Sequence, residues 1–198
     1  MAMKRVGKLI LGVALAFNLA SAIADDSVVE VAGTKFSSNT TVAGKPLVLN
    51  GAGLRTKFLV KVYALGLYVP QKSNSASQLL TVNGPELVEI HMLRKVDAKT
   101  FVEALHEGLE ANNSKDTLAK LQPQVNQLDS LMKSVGTAND GDVIKFEYVP
   151  ASGTQLYVNG SKLGFAIGGG SDFYTAILKI WFGNSPVDKD LKTAVVGQ

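Results

Sequence analysis

Cysteine is absent from this 198-residue chain, and only two histidines, His91 and His106, occur in it. Without cysteine there is no disulfide framework, no thiolate nucleophile and no lipid-modified terminal cysteine, so stability rests on a packed core. Two isolated histidines form no His-x-x-x-His pair, and a metal site would have to gather both with distant carboxylates. His91 reads as a strand residue and His106 as a solvated helix residue. The chain also lacks an apolar run of the roughly 20 residues needed to cross a bilayer. It lacks a Gly-x-Ser-x-Gly elbow for a serine nucleophile. Gly168-Gly169-Gly170 falls between a predicted strand and helix, where phosphate loops sit, but no Gly-Lys-Ser/Thr and no βαβ unit accompany it. It reads as a flexible turn. The sequence therefore calls for no metal and no cofactor.

What the chain does have begins at its amino terminus. Lys4, Arg5 and Lys8 precede the apolar run 9–17, and the small residues Ser21, Ala22 and Ala24 lead to Asp25 and Asp26. A basic start, a short apolar stretch and an A-x-A-like end are the parts of a secretory signal peptide. Residues 1–24 are expected to be that peptide, cut after Ala24, with Ala20-Ser21-Ala22 as the second choice of site. The formal charge of +3 resides in it: 1–24 hold three bases and no acid, so the rest carries 17 Lys and Arg against 17 Asp and Glu. A neutral remainder gives no electrostatic case for nucleic acid or an anionic membrane surface. Residues 25–198 are long enough for one core and are expected to form a single domain. An export signal without disulfides suits a periplasm.

The order of elements is strands, helices, strands, helices, which predicts an α+β fold with a largely antiparallel sheet. Short strands are expected at 28–36 and 45–49, with turns at Gly33, at Gly44-Lys45-Pro46 and at Asn50-Gly-Ala-Gly53. The stretch 54–69 reads as one strand, apolar on both faces and so covered on both sides in its second half. A further strand is expected at 87–93. Asp97 is placed to cap a helix over 98–111. Ser114 starts the next helical stretch, which continues to 135 with a break at Pro123. A three-stranded meander over 142–149, 154–158 and 161–167 closes its last turn on Asn159-Gly160. A helix capped by Ser171 or Asp172 runs to Phe182, with Phe173, Ile177, Ile180 and Trp181 inward, and a short helix covers 189–195. Glu103, Glu107 and Glu110 read as a solvated helix face.

Arg55 and Tyr63 are the candidate binding residues. On a single strand they are eight residues apart, hence on one face, and a guanidinium against an apolar sheet face needs an anion or several acceptors. The alternative is an arginine held by a nearby aspartate or by backbone carbonyls.

The segment Asn50-Gly-Ala-Gly-Leu-Arg55, followed by Lys57-Phe-Leu-Val-Lys-Val-Tyr-Ala-Leu-Gly-Leu-Tyr-Val69, resembles the chalcone isomerase-like family, and its bacterial exported branch most. The tail 173–191, with Ile180-Trp-Phe-Gly-Asn-Ser-Pro-Val187, is similar to that family's carboxy-terminal helix pair, and the resemblance spans nearly all of 28–197. It implies an open-faced β-sandwich, a large antiparallel sheet covered by a layer of helices. In the plant enzymes of the family an intramolecular lyase site closes a flavanone ring with an arginine, a threonine, a tyrosine, an asparagine and a late hydroxyl. Carried over by position, the arginine is Arg55 and the threonine is Tyr63. The tyrosine falls at Thr100 or Phe101, the asparagine at Glu107 or Gly108, and the late hydroxyl at Ile180. Losing one such donor removes about 3 kcal/mol of transition-state stabilisation, so the resemblance implies no catalytic residue here. The non-catalytic branch includes plant fatty-acid-binding proteins, which hold an acyl carboxylate with an arginine and a tyrosine. The expectation is thus an exported, non-catalytic protein binding a fatty acid or similar small apolar carboxylate through Arg55 and Tyr63. An isomerase acting on another substrate and an envelope interaction module are the alternatives.

Overall fold

A computed structural model describes residues 27–197; the segment read as a signal peptide lies outside them. Two-residue reversals set the sheet. β1 (Val28–Val31) turns through Ala32-Gly33 into β2 (Thr34–Ser37), and β3 (Asn39–Val42) turns through Ala43-Gly44 into β4 (Lys45–Lys57). β4 turns through Phe58-Leu59 into β5 (Val60–Val69). A short helix α1 (Ala76–Leu79) leads to β6 (Glu86–Met92). β7 (Val96–Asp97) and β8 (Thr137–Ala138) pair with each other and bracket three helices: α2 (Ala98–Asn112), α3 (Lys115–Lys120) and α4 (Gln122–Val135). The meander β9 (Val143–Val149), β10 (Gly153–Val158) and β11 (Ser161–Ile167) precedes α5 (Gly170–Phe182) and α6 (Lys189–Val196).

Seven strands form one antiparallel sheet in the order β11-β10-β9-β6-β5-β4-β3. One face carries the main core: Leu65, Leu67, Val88, Ile90, Ile144, Phe146 and Leu156 pack under Phe173, Ile177 and Trp181 of α5. Helices α4, α5 and α6 lie on β11, β10 and β4, and α2 packs on α4 and α5. The opposite face is covered over its middle by the β1–β2 hairpin, whose Phe36 joins Leu49, Ala64, Tyr68 and Leu87 in a second apolar cluster. The α+β class, the covered antiparallel sheet and the two-sided burial of 64–69 all match expectation.

Several expectations were altered by packing. The stretch 54–69 is two strands: Phe58 and Leu59 take φ of 50° and 65°, the signature of a two-residue type I′ reversal, with no glycine or asparagine to announce it. Bulky residues in that region cost about 1 kcal/mol each. Asn50-Gly-Ala-Gly53 is the interior of β4, which absorbs the predicted strand 45–49. Its glycines serve a close approach: a Cβ on Gly51 would stand 2.5 Å from the Val195 carbonyl oxygen, and one on Gly53 2.9 Å from that of Leu191. Helix α6 therefore rests directly on the strand backbone. The stretch 28–36 is a hairpin turning at Gly33, and β3, α1, β7 and β8 went unforeseen. Helix α5 starts two or three residues earlier than its polar residues suggest, from a left-handed Gly169 without a side-chain cap. The caps at Asp97 and Ser114 and the break ahead of Pro123 fall where expected.

Candidate functional site

Arg55 and Tyr63 face each other as direct cross-strand partners of β4 and β5. They share a face because they are paired across the hairpin, not because they sit eight residues apart on one strand. The register shifts between Arg55 and Thr56. There the Thr56 backbone N–H leaves the ladder and donates to Asp188 Oδ2 at 2.9 Å. Asp188 is also the N-cap of α6, its Oδ1 accepting from the N–H groups of Asp190 and Leu191 at 3.0 Å each. Burial would push this carboxyl up, but the N–H groups of Thr56 and Leu191, the Arg55 charge and the Asp190 N–H together hold it below its ordinary range. One carboxylate thus fastens the helix end to the strand end.

Arg55 lies beside this junction. Its Nη1 donates to the Thr56 carbonyl at 2.6 Å and stands 3.6 Å from Asp188 Oδ2. Both contacts use Nη1, so the Nη2 and Nε edge is committed to no carboxylate or carbonyl among the described residues. Across the pair, the Tyr63 hydroxyl oxygen accepts from the indole Nε1–H of Trp181 at 2.8 Å. Burial, helped by the Asp188 charge, raises the Tyr63 phenol above its ordinary 10.0, outweighing the Trp181 hydrogen bond and the charge and hydrogen bond of Arg55, which lower it. The phenol therefore keeps its proton at neutral pH, and with its oxygen already accepting from Trp181 its O–H is left to donate. Trp181 read only as a core residue of α5, and Asp188 carried no sequence signal beyond its place at a helix start.

The pair opens into a cavity of about 670 Å³ between the β4–β5 hairpin, α2 and the end of α5, within the size range of small-molecule sites. Its apolar wall includes Met92, Phe101, Leu105, Ile180 and Trp181. Around it stand Lys57, Arg94 and Lys95, against the acids Asp97 and Glu107. Glu107, read as part of a solvated face, is exposed and also borders the cavity. His106 is not simply solvated: its Nε2 meets Asp129 of α4 at 2.8 Å. His91 lies 2.6 Å from Glu89, facing away from the cavity against Phe36.

The family model for chalcone isomerase-like proteins matches residues 28–197. The chain belongs to the chalcone isomerase-like family. The fold agrees: the crystal structure of a fatty-acid binding protein of Arabidopsis thaliana superposes with a TM-score of 0.66 at 17% identity, covering 86% of this chain and 96% of that one. No curated protein matches. Within this chalcone isomerase-like chain, the positions carried over from the plant enzymes converge on the cavity: Thr100, Phe101, Glu107, Gly108 and Ile180 all line it beside Arg55 and Tyr63. Phe101, Gly108 and Ile180 offer no side-chain hydrogen-bond donor. The Thr100 hydroxyl donates to Asp97 at 2.9 Å as part of the α2 cap.

Proposed function

We propose that the protein binds a fatty acid or similar small apolar carboxylate in this cavity without chemically converting it. The observation that carries the reading is the Arg55–Tyr63 pair: a guanidinium beside a phenol whose O–H is available, at the end of an apolar wall. A carboxylate fits both groups, taking Arg55 as anion anchor and Tyr63 as hydrogen-bond donor. Each charge-assisted hydrogen bond contributes on the order of 1.5–3 kcal/mol, and each buried methylene about 0.8 kcal/mol, against the entropy of association. The Arabidopsis thaliana neighbour is a fatty-acid binding protein, which supports this ligand class. The absence of enzyme-type donors at Phe101, Gly108 and Ile180 supports binding over ring closure, since developing negative charge would find few partners there.

Arg55 does have a protein carboxylate beside it, as an envelope interaction module with a filled cleft would. The open cavity favours a ligand instead. The signal-like segment 1–24 supports export to the periplasm by the bacterial branch of the family, where lipid-derived acids are available. Organic extraction of the purified protein and mass spectrometry provide the test, alongside octanoate titration of wild type and Arg55→Ala. A co-purifying acyl carboxylate and weakened binding by the variant are expected. Absence of any such ligand, with octanoate binding indifferent to Arg55, would sink the reading. Amino-terminal sequencing of periplasmic material, expected to begin at Asp25, tests the export.

A further inference from the structure

Four hairpins reverse through two residues of positive φ, and three of them place glycine second: Ala32-Gly33, Ala43-Gly44 and Asn159-Gly160. The fourth is Phe58-Leu59, with φ of 50° and 65°. These two residues are 89% and 97% exposed. Two large apolar residues thus occupy a strained turn that Asn-Gly would make without strain, and they point into water rather than into the core. Lys57 and Lys61 flank the tip and are both exposed. Phe58 and Val60 also border the cavity, as do Lys57, Arg94 and Lys95. Of the two acids there, Asp97 is engaged in capping α2 through the Thr100 N–H and hydroxyl.

We infer that the Phe58-Leu59 tip is a membrane-docking element that seats the cavity mouth on an anionic phospholipid surface. An apolar tip flanked by Lys57 and Lys61, beside a cavity bordered by Arg94 and Lys95, matches the layered chemistry of such a surface, acyl chains beneath negative headgroups. The formal neutrality of residues 25–198 conceals this local concentration of positive charge. Insertion of Phe58 and Leu59 brings the mouth to the headgroup–acyl boundary, where an acyl chain enters or leaves without crossing bulk water. This transfer role rests on the fatty-acid reading; the docking does not.

Co-sedimentation of the protein lacking residues 1–24 tests it, using phosphatidylcholine vesicles with and without about 30 mol % phosphatidylglycerol. Binding to the anionic vesicles is expected, weaker with added salt and weaker on phosphatidylcholine alone. Leu59→Ser should lower vesicle affinity on the order of tenfold, one leucine's worth of burial. Leu59 does not line the cavity, so this variant keeps octanoate binding. The double change Phe58→Asn, Leu59→Gly should raise thermal stability while abolishing vesicle binding, which separates docking from a folding defect. Failure of the wild type to sediment with anionic vesicles, or equal sedimentation by Leu59→Ser, overturns the inference. Vesicle binding without octanoate binding leaves docking standing and removes the fatty-acid reading; octanoate binding without vesicle binding does the reverse.

Discussion

Helix α5 meets sheet polar groups at both of its ends, and the two ends are built on opposite rules. Near its carboxy end Trp181 donates to Tyr63, Arg55 is half-buried beside them, and the group opens onto the cavity. Near its start Tyr174 stacks on Tyr148 with ring centroids 5.0 Å apart. Tyr148 lies in register between Glu86 and Thr154. Glu86 Oε2, Thr154 Oγ1 and the Tyr174 hydroxyl are buried and have no partner among the described residues. Burial pushes the Glu86 carboxyl up to about 8. Burial first, and then the nearby Glu86 and Glu147 carboxylates, push the Tyr174 phenol well above 10.0. One end keeps its charge and pairs its hydroxyl; at the other, burial holds the carboxyl protonated at neutral pH. The carboxylate proposed above belongs at the first, where the Arg55 guanidinium stands at the cavity to receive it.

The largest test of this contrast is pH. Glu86 titrates near 4.5 when unfolded and near 8 when folded, so between those values the folded protein holds a proton that the unfolded chain has released. Stability is therefore greatest below that window and falls across it by on the order of 4 kcal/mol. Urea unfolding from about pH 5 to 9 should show the decline, and Glu86→Gln should flatten it. An unchanged slope in the variant would remove Glu86 from the account. Next in size, Arg55→Ala should weaken octanoate binding about a hundredfold by calorimetry, through loss of the charge-assisted bonds.

The same substitution at the two tyrosines sharpens the comparison further. Tyr63→Phe strands the buried Trp181 N–H, so a loss of about 1–2 kcal/mol in stability is expected, with octanoate affinity down roughly tenfold. Tyr174→Phe removes a hydroxyl that has no partner, and should raise stability by about 0.5–1 kcal/mol. Denaturation midpoints moving in the same direction for both would contradict the distinction.

How far the sequence disclosed this site depends on which physical signal each residue carries. Asp97, Ser114 and Asn159-Gly160 work through local hydrogen bonding and φ, so they were legible in place. Phe58-Leu59 makes the same reversal without any residue that favours it, and alternation ran straight through the turn. Arg55 and Tyr63 were consequently assigned to one face by a route that does not exist, although their proximity is real. Gly51 and Gly53 read as a turn because glycine serves tight turns and close packing alike, and only α6 distinguishes the two. Trp181 and Asp188 lie more than a hundred residues along the chain from the partners they hold, and no periodicity records such pairings. The cavity itself was foreseen only through the resemblance, whose catalytic positions gather on its wall.

Asp188 also bears on time. Because this one carboxylate holds the α6 start, the Thr56 N–H and the Arg55 guanidinium together, the arginine is already in position for the acyl carboxylate proposed above. On the proposed reading, capture would involve no search among arginine rotamers and would proceed at a speed nearly indifferent to the length of the acyl tail. Discrimination between short and long chains would then fall to the exit step, with each added methylene read as a longer residence rather than a faster arrival.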